Sequence, residues 1–350
     1  MLLTLRLVGK KVTNKPSDLI DVLIPVYNAQ SYLNEALDSI IKQTYRNWRM
    51  LIVDDGSTDD SLNINQQYAK QDSRIIYRSR ENKGLVATLN ELTAWSTAPF
   101  IARMDADDIS HEQRLEKQLK FLMQDPHLSI LGSWVQLFGI KNEIWHFRAT
   151  DQQIRIVSFF GKCSLLHASL MCRREVFELY PFDPEFTHLE DFDFLTRIIA
   201  DNKFKMASMR ESLYYYRQHN SSIVYNHEQL RLSKSKQVFK RFLNALGLQL
   251  SEYELQLFDT FNTGQSVSIE VLDEIGCLLQ SIKKVLTNNT PDVDKEFDYR
   301  WLLFCKKNLN SDKIYAYFIK YFDSCDFVFI ELKSQYIEAN FVNTSSASSA

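Results

Sequence analysis

Between Asp21 and Asp105 the chain alternates between two hydrophobic periods, and this alternation constrains the fold more than any other feature. "DVLIPVY" (21–27) reads as a buried strand. "SYLNEALDSIIKQ" (31–43) reads as an amphipathic helix with Leu33, Ala36, Leu37, Ile40 and Ile41 on one side. "RMLIVDD" is a second strand, the segment after "GSTDD" a second helix, "RIIYRS" a third strand, "GLVATLNELTAWS" a third helix and "PFIARMD" a fourth strand. Strands and helices alternating at this spacing predict right-handed crossovers and a mainly parallel central sheet with flanking helices, an α/β architecture.

In such sheets ligands bind beyond the carboxyl ends of the strands. Tyr27-Asn28, Asp54-Asp55-Gly56-Ser57 and Asp105-Ala106-Asp107-Asp108 all fall at such ends, so they should converge on one edge. The last group, within "FIARMDADDIS" (100–110), puts three carboxylates within four positions. Like charges so close raise each other's pKa unless a cation or several donors hold them, and a hard divalent metal is the natural candidate. A solvated turn in which Asp108 or Ser110 caps the helix starting near His111 is the alternative. The tripeptide alone does not decide, because Asp191-Phe192-Asp193 and Asp292-Val293-Asp294 share it. The common phosphate cradles are missing: none of the nine glycines forms a GxG pair, and there is no GKS or GKT. A metal held by Asp105 and Asp107 would neutralise a diphosphate instead, and hard oxygen ligands suit Mg²⁺ or Mn²⁺.

Composition narrows the classes. A chain of 350 residues, 45% hydrophobic, can bury a full core, and its net charge of −3 gives no global pull toward nucleic acid. Five scattered cysteines without a CxxC pair disfavour a disulfide framework and a zinc site, and fit a reducing cytoplasm. The apolar stretch in "MLLTLRLVGKKVTNK" is too short for a secretory signal, and nowhere do about 18 uncharged apolar residues run together. "KIYAYFIKYF" mixes basic and aromatic residues, as a membrane-surface segment does and as an ordinary packed helix also can. The expected organisation is a lead segment (1–20), an α/β domain (21–225) in two halves (21–108 and 109–225), a mostly helical region (226–340) and a small, polar tail (341–350).

"VLIPVYN" (22–28), "LIVDDGSTDDS" (51–61), "NKGLVATLN" (82–90), "MDADD" (104–108) and "LEDFDF" (189–194) stand in the order and spacing of the family 2 glycosyltransferases, the inverting enzymes of the GT-A fold. The resemblance covers roughly residues 21–222. It takes in "HASLMCRREVFE" (167–178) and "YYYRQHNSS" (214–222), which look like acceptor-side segments of bacterial members.

The resemblance implies roles for particular residues. Pro25, Tyr27 and Asn28 line the nucleotide pocket, and Asp55 accepts a hydrogen bond from a uracil ring. Asn82, Lys83 and Gly84 form a loop against the donor. Asp105 and Asp107 match the DxD signature that binds Mn²⁺ or Mg²⁺, with Asp107 the direct ligand and His219 near the metal or diphosphate. Asp191 of the Glu190-Asp191 pair becomes the general base, with Glu190 and His167 on the acceptor side. First-turn helix carboxylates and a structural histidine are the alternative readings of Glu190-Asp191 and His219. The implied partners are a nucleotide-sugar, with UDP ahead of dTDP, and a glycan or lipid-linked glycan acceptor at the cytoplasmic face of the membrane. "MDADDI" also approximates the strand-end nucleophile motif of haloacid-dehalogenase phosphatases, although three strand-helix units precede it here. A catalytically silent sugar-binding subunit of a polysaccharide assembly complex is a further alternative.

Overall fold

The computed structural model describes residues 18–161, 164–219, 228–286 and 291–309, together with residues 313, 314, 317, 320 and 321. Of the lead segment only residues 18–20 fall within it, the tail 341–350 lies outside the described residues, and the basic-aromatic stretch is described at those five positions alone. Two compact units are formed. Among the described residues, one comprises 18–145, Leu166–Phe182 and Glu211–His219; the other comprises 146–161, 164–165, Asp183–Arg210 and those from 228 on.

The first unit opens with β1 (Ile20–Val26), α1 (Leu33–Ile41), β2 (Trp48–Asp54), α2 (Ser61–Gln71), β3 (Ile75–Ser79), α3 (Leu85–Trp95) and β4 (Phe100–Arg103). These four strands pair in parallel in the order β3-β2-β1-β4, as the alternation predicts. Every residue of β1 is buried, and α1 buries Leu33, Ala36, Leu37 and Ile40. At the amino ends of the strands the buried Asp21 carboxylate collects five donors. They are Arg49 Nε and Nη2 (both 2.8 Å), Ser96 Oγ (2.7 Å) and the amides of Thr97 (3.1 Å) and Ala98 (3.0 Å). Burial alone pushes its pKa up, but Arg49, Ser96 and the Ala98 amide outweigh that and hold it below the ordinary carboxylate value.

Beyond β4 the sheet continues through shorter and antiparallel pairings that the alternation does not lay out. The added elements are β5 (Ile109–Ser110), α4 (Arg114–Gln124), β6 (Leu128–Gly139), β7 (Ile144–Trp145), β8 (Met171–Arg173), α6 (Arg174–Leu179) and β9 (Lys205–Gln218). Their order is β4-β8-β6-β9-β5, with β7 on β6, and β4–β8, β8–β6, β6–β7 and β5–β9 are antiparallel. Arg114, fully buried, donates through Nη2 to the carbonyls of Arg103 (2.9 Å) and Leu170 (3.1 Å) and through Nε to Gln118 (3.0 Å). Burial lowers its pKa to about 10, so it stays charged at neutral pH and ties the end of β4 to the turn before β8.

The second unit holds α5 (Asp151–Phe159), α7 (Glu190–Asp201), α8 (Glu228–Ala245), α9 (Glu252–Thr263), α10 (Ile269–Leu286) and α11 (Pro291–Asn308). The helical character expected after residue 225 is present. Phe159 and Phe160 pack on Phe258 and Phe297 with ring centroids 4.9–6.1 Å apart, and Ser251 with Glu254 closes a capping box on α9. No described helix is long and apolar enough to cross a membrane.

Candidate active site at the carboxyl edge of the parallel strands

The loops after β1 and β2 are joined by reciprocal hydrogen bonds. Asn28, with φ of 48°, donates its amide to Ser57 Oγ (3.0 Å) and accepts the Thr58 amide on Oδ1 (2.8 Å). Gln30 donates its amide to Asp59 (3.0 Å) and accepts the Asp60 amide (2.9 Å). A short polar side chain tolerates this left-handed backbone, which is why Asn stands at residue 28. Pro25 is buried in β1, whereas Tyr27 is 54% exposed on the rim.

Asp55 is buried and engaged by its own chain. It accepts the amides of Lys83 (2.8 Å) and Gly84 (2.9 Å) and pairs with the Arg80 guanidinium, which in turn bonds Glu91 (2.7 Å) and Thr88 (2.9 Å). The carboxylate thus occupies the amino end of α3, where a phosphate would otherwise fit. Asn82 and Lys83 are exposed. Gly84 meets its requirement through φ of 86°, and a Cβ there would touch nothing within 4 Å. The close backbone approach is at Gly56 instead, where a Cβ would lie 2.7 Å from the Asn82 nitrogen.

The acidic turn follows β4. Ligand atoms of Asp105, Asp107 and Asp108 lie within 4.8 Å of one another. The three carboxylates differ in what surrounds them. Asp108 is buried and accepts the Tyr214 hydroxyl on Oδ2 (2.7 Å) and the Arg217 amide on Oδ1 (2.7 Å). Burial, then the charges of Asp107 and Asp105, push its pKa well above the usual range. Asp105 and Asp107 are half-buried; Asp105 pairs with the buried Arg103, and Asp107 Oδ2 sits 3.0 Å from His219 Nε2. The Asp105 amide donates to the Tyr214 hydroxyl (3.1 Å). Burial, then Asp108 and Asp105, raise the Tyr214 phenol pKa well above its ordinary value, so it remains a donor.

This turn fits a hard divalent cation. Two half-exposed carboxylates and one imidazole, with a third carboxylate within 4.8 Å, are a donor set suited to Mn²⁺ or Mg²⁺. Asp105, Asp107 and His219, singled out in the sequence, are brought together. Tyr214, Arg217, Arg103 and Arg80 were not singled out. Tyr214 and Arg217 lie more than one hundred positions beyond the acidic turn, and only the strand-like "YYYRQ" hinted at them. His167 is buried in a short 3₁₀ turn, its ring 5.1 Å from that of Phe182. Burial, aided by the Arg103 charge, holds its pKa well below the ordinary value, which keeps it neutral.

In the second unit Glu190 and Asp191 occupy the first turn of α7, Glu190 buried and Asp191 half-buried. Asp193, the other half of that Asp-x-Asp, turns inward to Arg197 (2.8 Å) and Arg241 of α8. Phe186, Leu189, Phe192 and Val238 form an apolar cluster beside it, so Asp193 is structural.

The model of the family "Glycosyl transferase family 2" matches residues 21–180. An uncharacterized glycosyltransferase of Methanocaldococcus jannaschii is 30% identical over 205 residues, which are 57% of this chain and 70% of that one. The chain belongs to glycosyl transferase family 2. Another relative of this family 2 glycosyltransferase is the UDP-Glc:alpha-D-GlcNAc-diphosphoundecaprenol beta-1,3-glucosyltransferase WfgD of Escherichia coli, 28% identical over 209 residues, covering 59% of this chain and 80% of that one. Some other relatives are spanned over less than half of their own length. The structure of S. aureus TarS 1–349 in complex with UDP shares the fold, with a TM-score of 0.54 at 16% identity over 87% of this chain and 88% of that one. The expected GT-A architecture, followed by a helical region, is therefore the fold of this glycosyltransferase.

Proposed function

We propose that the protein transfers a sugar from a UDP-sugar to a hydroxyl of a glycan acceptor, with inversion, using a divalent cation held at the turn after β4. The observation that carries the reading is the pairing of Asp107 with His219 beside Asp105 at the carboxyl end of a parallel strand. The relative named for a UDP-glucose donor and a diphosphoundecaprenol-linked acceptor, and the UDP complex of the TarS fragment, support the donor class. By likeness to that relative the acceptor is a lipid-linked glycan; that it belongs to a bacterial surface polysaccharide and is met at the cytoplasmic face of the membrane is part of the same proposal.

Asp105, Asp107 and His219 would hold Mn²⁺ or Mg²⁺, which offsets the charge that grows on the departing diphosphate. Pro25, Tyr27 and Asn28 flank the base, and the remaining lone pair of Asp55 Oδ2 meets an N–H of the uracil ring. Lys83, exposed on the loop that Asp55 fixes, meets phosphate charge. Asp191 takes the proton of the acceptor hydroxyl while that oxygen bonds the anomeric carbon and the bond to the nucleotide oxygen breaks, so configuration inverts. Glu190 and His167 belong to the acceptor side.

Isothermal titration of UDP and dTDP with and without Mn²⁺, on wild type and Asp107→Ala, tests the reading. The expected result is Mn²⁺-dependent UDP binding that the variant loses. Absence of nucleotide binding by the wild type, or unaltered metal dependence in Asp107→Ala, would sink it.

A further inference from the structure

We infer that Arg217 is the positioning residue of the acidic turn, holding it so that Asp108 faces inward while Asp107 is set against His219 beside Asp105, where a cation would bind. Arg217 stands near the end of β9, two positions before His219. Its amide donates to Asp108 Oδ1 (2.7 Å), its Nε to the Asp107 carbonyl (2.8 Å) and its Nη2 to Glu35 in the first turn of α1 (2.5 Å). The guanidinium carbon lies 4.6 Å from the ring centre of Tyr32 and 4.5 Å from that of Phe138. One side chain therefore grips the turn's backbone, is anchored on α1 and is fixed between two aromatic faces.

These contacts sort the carboxylates. Both oxygens of Asp108 are taken, one by Tyr214 and one by the Arg217 amide, so this carboxylate faces the protein interior. The Nε bond to the Asp107 carbonyl fixes the peptide on which the Asp107 side chain is mounted, and that side chain meets His219. The His219 ring lies 5.0 Å from the same Tyr32 ring that covers Arg217. Asp107 and His219 are thus positioned by one fixed framework. A planar fork is needed to reach a carbonyl and a carboxylate at once; an ammonium supplies the charge without that geometry.

The backbone amide survives any non-proline substitution, so a side-chain variant isolates the guanidinium. Arg217→Met keeps an apolar stem between Tyr32 and Phe138, and Arg217→Lys keeps the charge. Free Mn²⁺ would be followed by electron paramagnetic resonance during titration of wild type and both variants, with thermal unfolding run in parallel. Both variants are expected to bind Mn²⁺ about 10–100-fold more weakly, the usual effect of losing a partner behind a ligand. A purely structural arginine would lower the melting temperature and leave the Mn²⁺ affinity of the folded protein unchanged. Wild-type affinity in Arg217→Met, or full restoration by Arg217→Lys, overturns the assignment. It rests on the reading that this turn holds a cation. A wild type that binds neither Mn²⁺ nor UDP overturns that reading and the assignment with it, whereas binding matched by both variants overturns the role of Arg217 alone.

Discussion

Asp21→Asn should destabilise the protein by several kcal/mol while leaving its affinity for UDP intact. Asp21 sits at the amino ends of the parallel strands, away from the carboxyl edge, and takes two bonds from Arg49 and three from the Ser96–Ala98 segment. An asparagine oxygen in place of Oδ2 keeps the donors on that side, but its NH₂ then faces Arg49 Nε. Breaking a buried ion pair by removing one charge costs about 3–5 kcal/mol, and because Arg49 keeps 32% of its side-chain surface in water the loss here sits at the lower end, about 3 kcal/mol. For a folding unit of this size that loss lowers the melting temperature by about 6–12 °C. The sign of the pH dependence follows from the lowered pKa of Asp21. Its contribution is complete above the unfolded-state value near 3.8 and is lost as pH falls through the lower folded value. The gap between wild type and variant, measured by calorimetry from pH 7 to pH 3, should therefore narrow in acid. A gap below about 1 kcal/mol at pH 7, within the range of ordinary surface changes, would refute the reasoning, as would one that stays constant on acidification.

Asp191→Asn should lower transfer about 10²–10⁴-fold at saturating donor and leave UDP binding unchanged, as seen by product formation beside calorimetry. Retention of most activity would mean that the base lies elsewhere. Gly56→Ala should cost about 1–2 kcal/mol for its left-handed backbone alone and displace the 80–82 loop, so both unfolding temperature and UDP affinity fall. A variant that matches wild type in both would show that this approach is not tight.

The parallel half of the sheet and its rim were legible because their signals are local. An apolar run bounded by a helical period marks each strand wherever its partners lie, and Asp55 and Asp105–Asp108 then fall at strand ends by counting. What escaped is non-local or runs against a residue type's usual place. Nothing near Asp108 in the chain announces that Tyr214 and Arg217 will take its two oxygens. Arg103 and Arg114 are charged residues in fully buried positions, which periodicity reads as solvated. The antiparallel strands β6, β8 and β9 carry strand-like runs, but pairing order is decided by long-range packing that no single segment encodes. Asp193 resembles a metal motif in sequence and proves to be half of an ion pair with Arg197 and Arg241.

The loops after β1 and β2 are stitched together by Asn28 and Gln30 on one side and residues 57–60 on the other. They make up one interlocked cassette. A chimera that imports either loop alone from a relative would break half of these bonds, so base preference should be exchangeable only when both segments travel together.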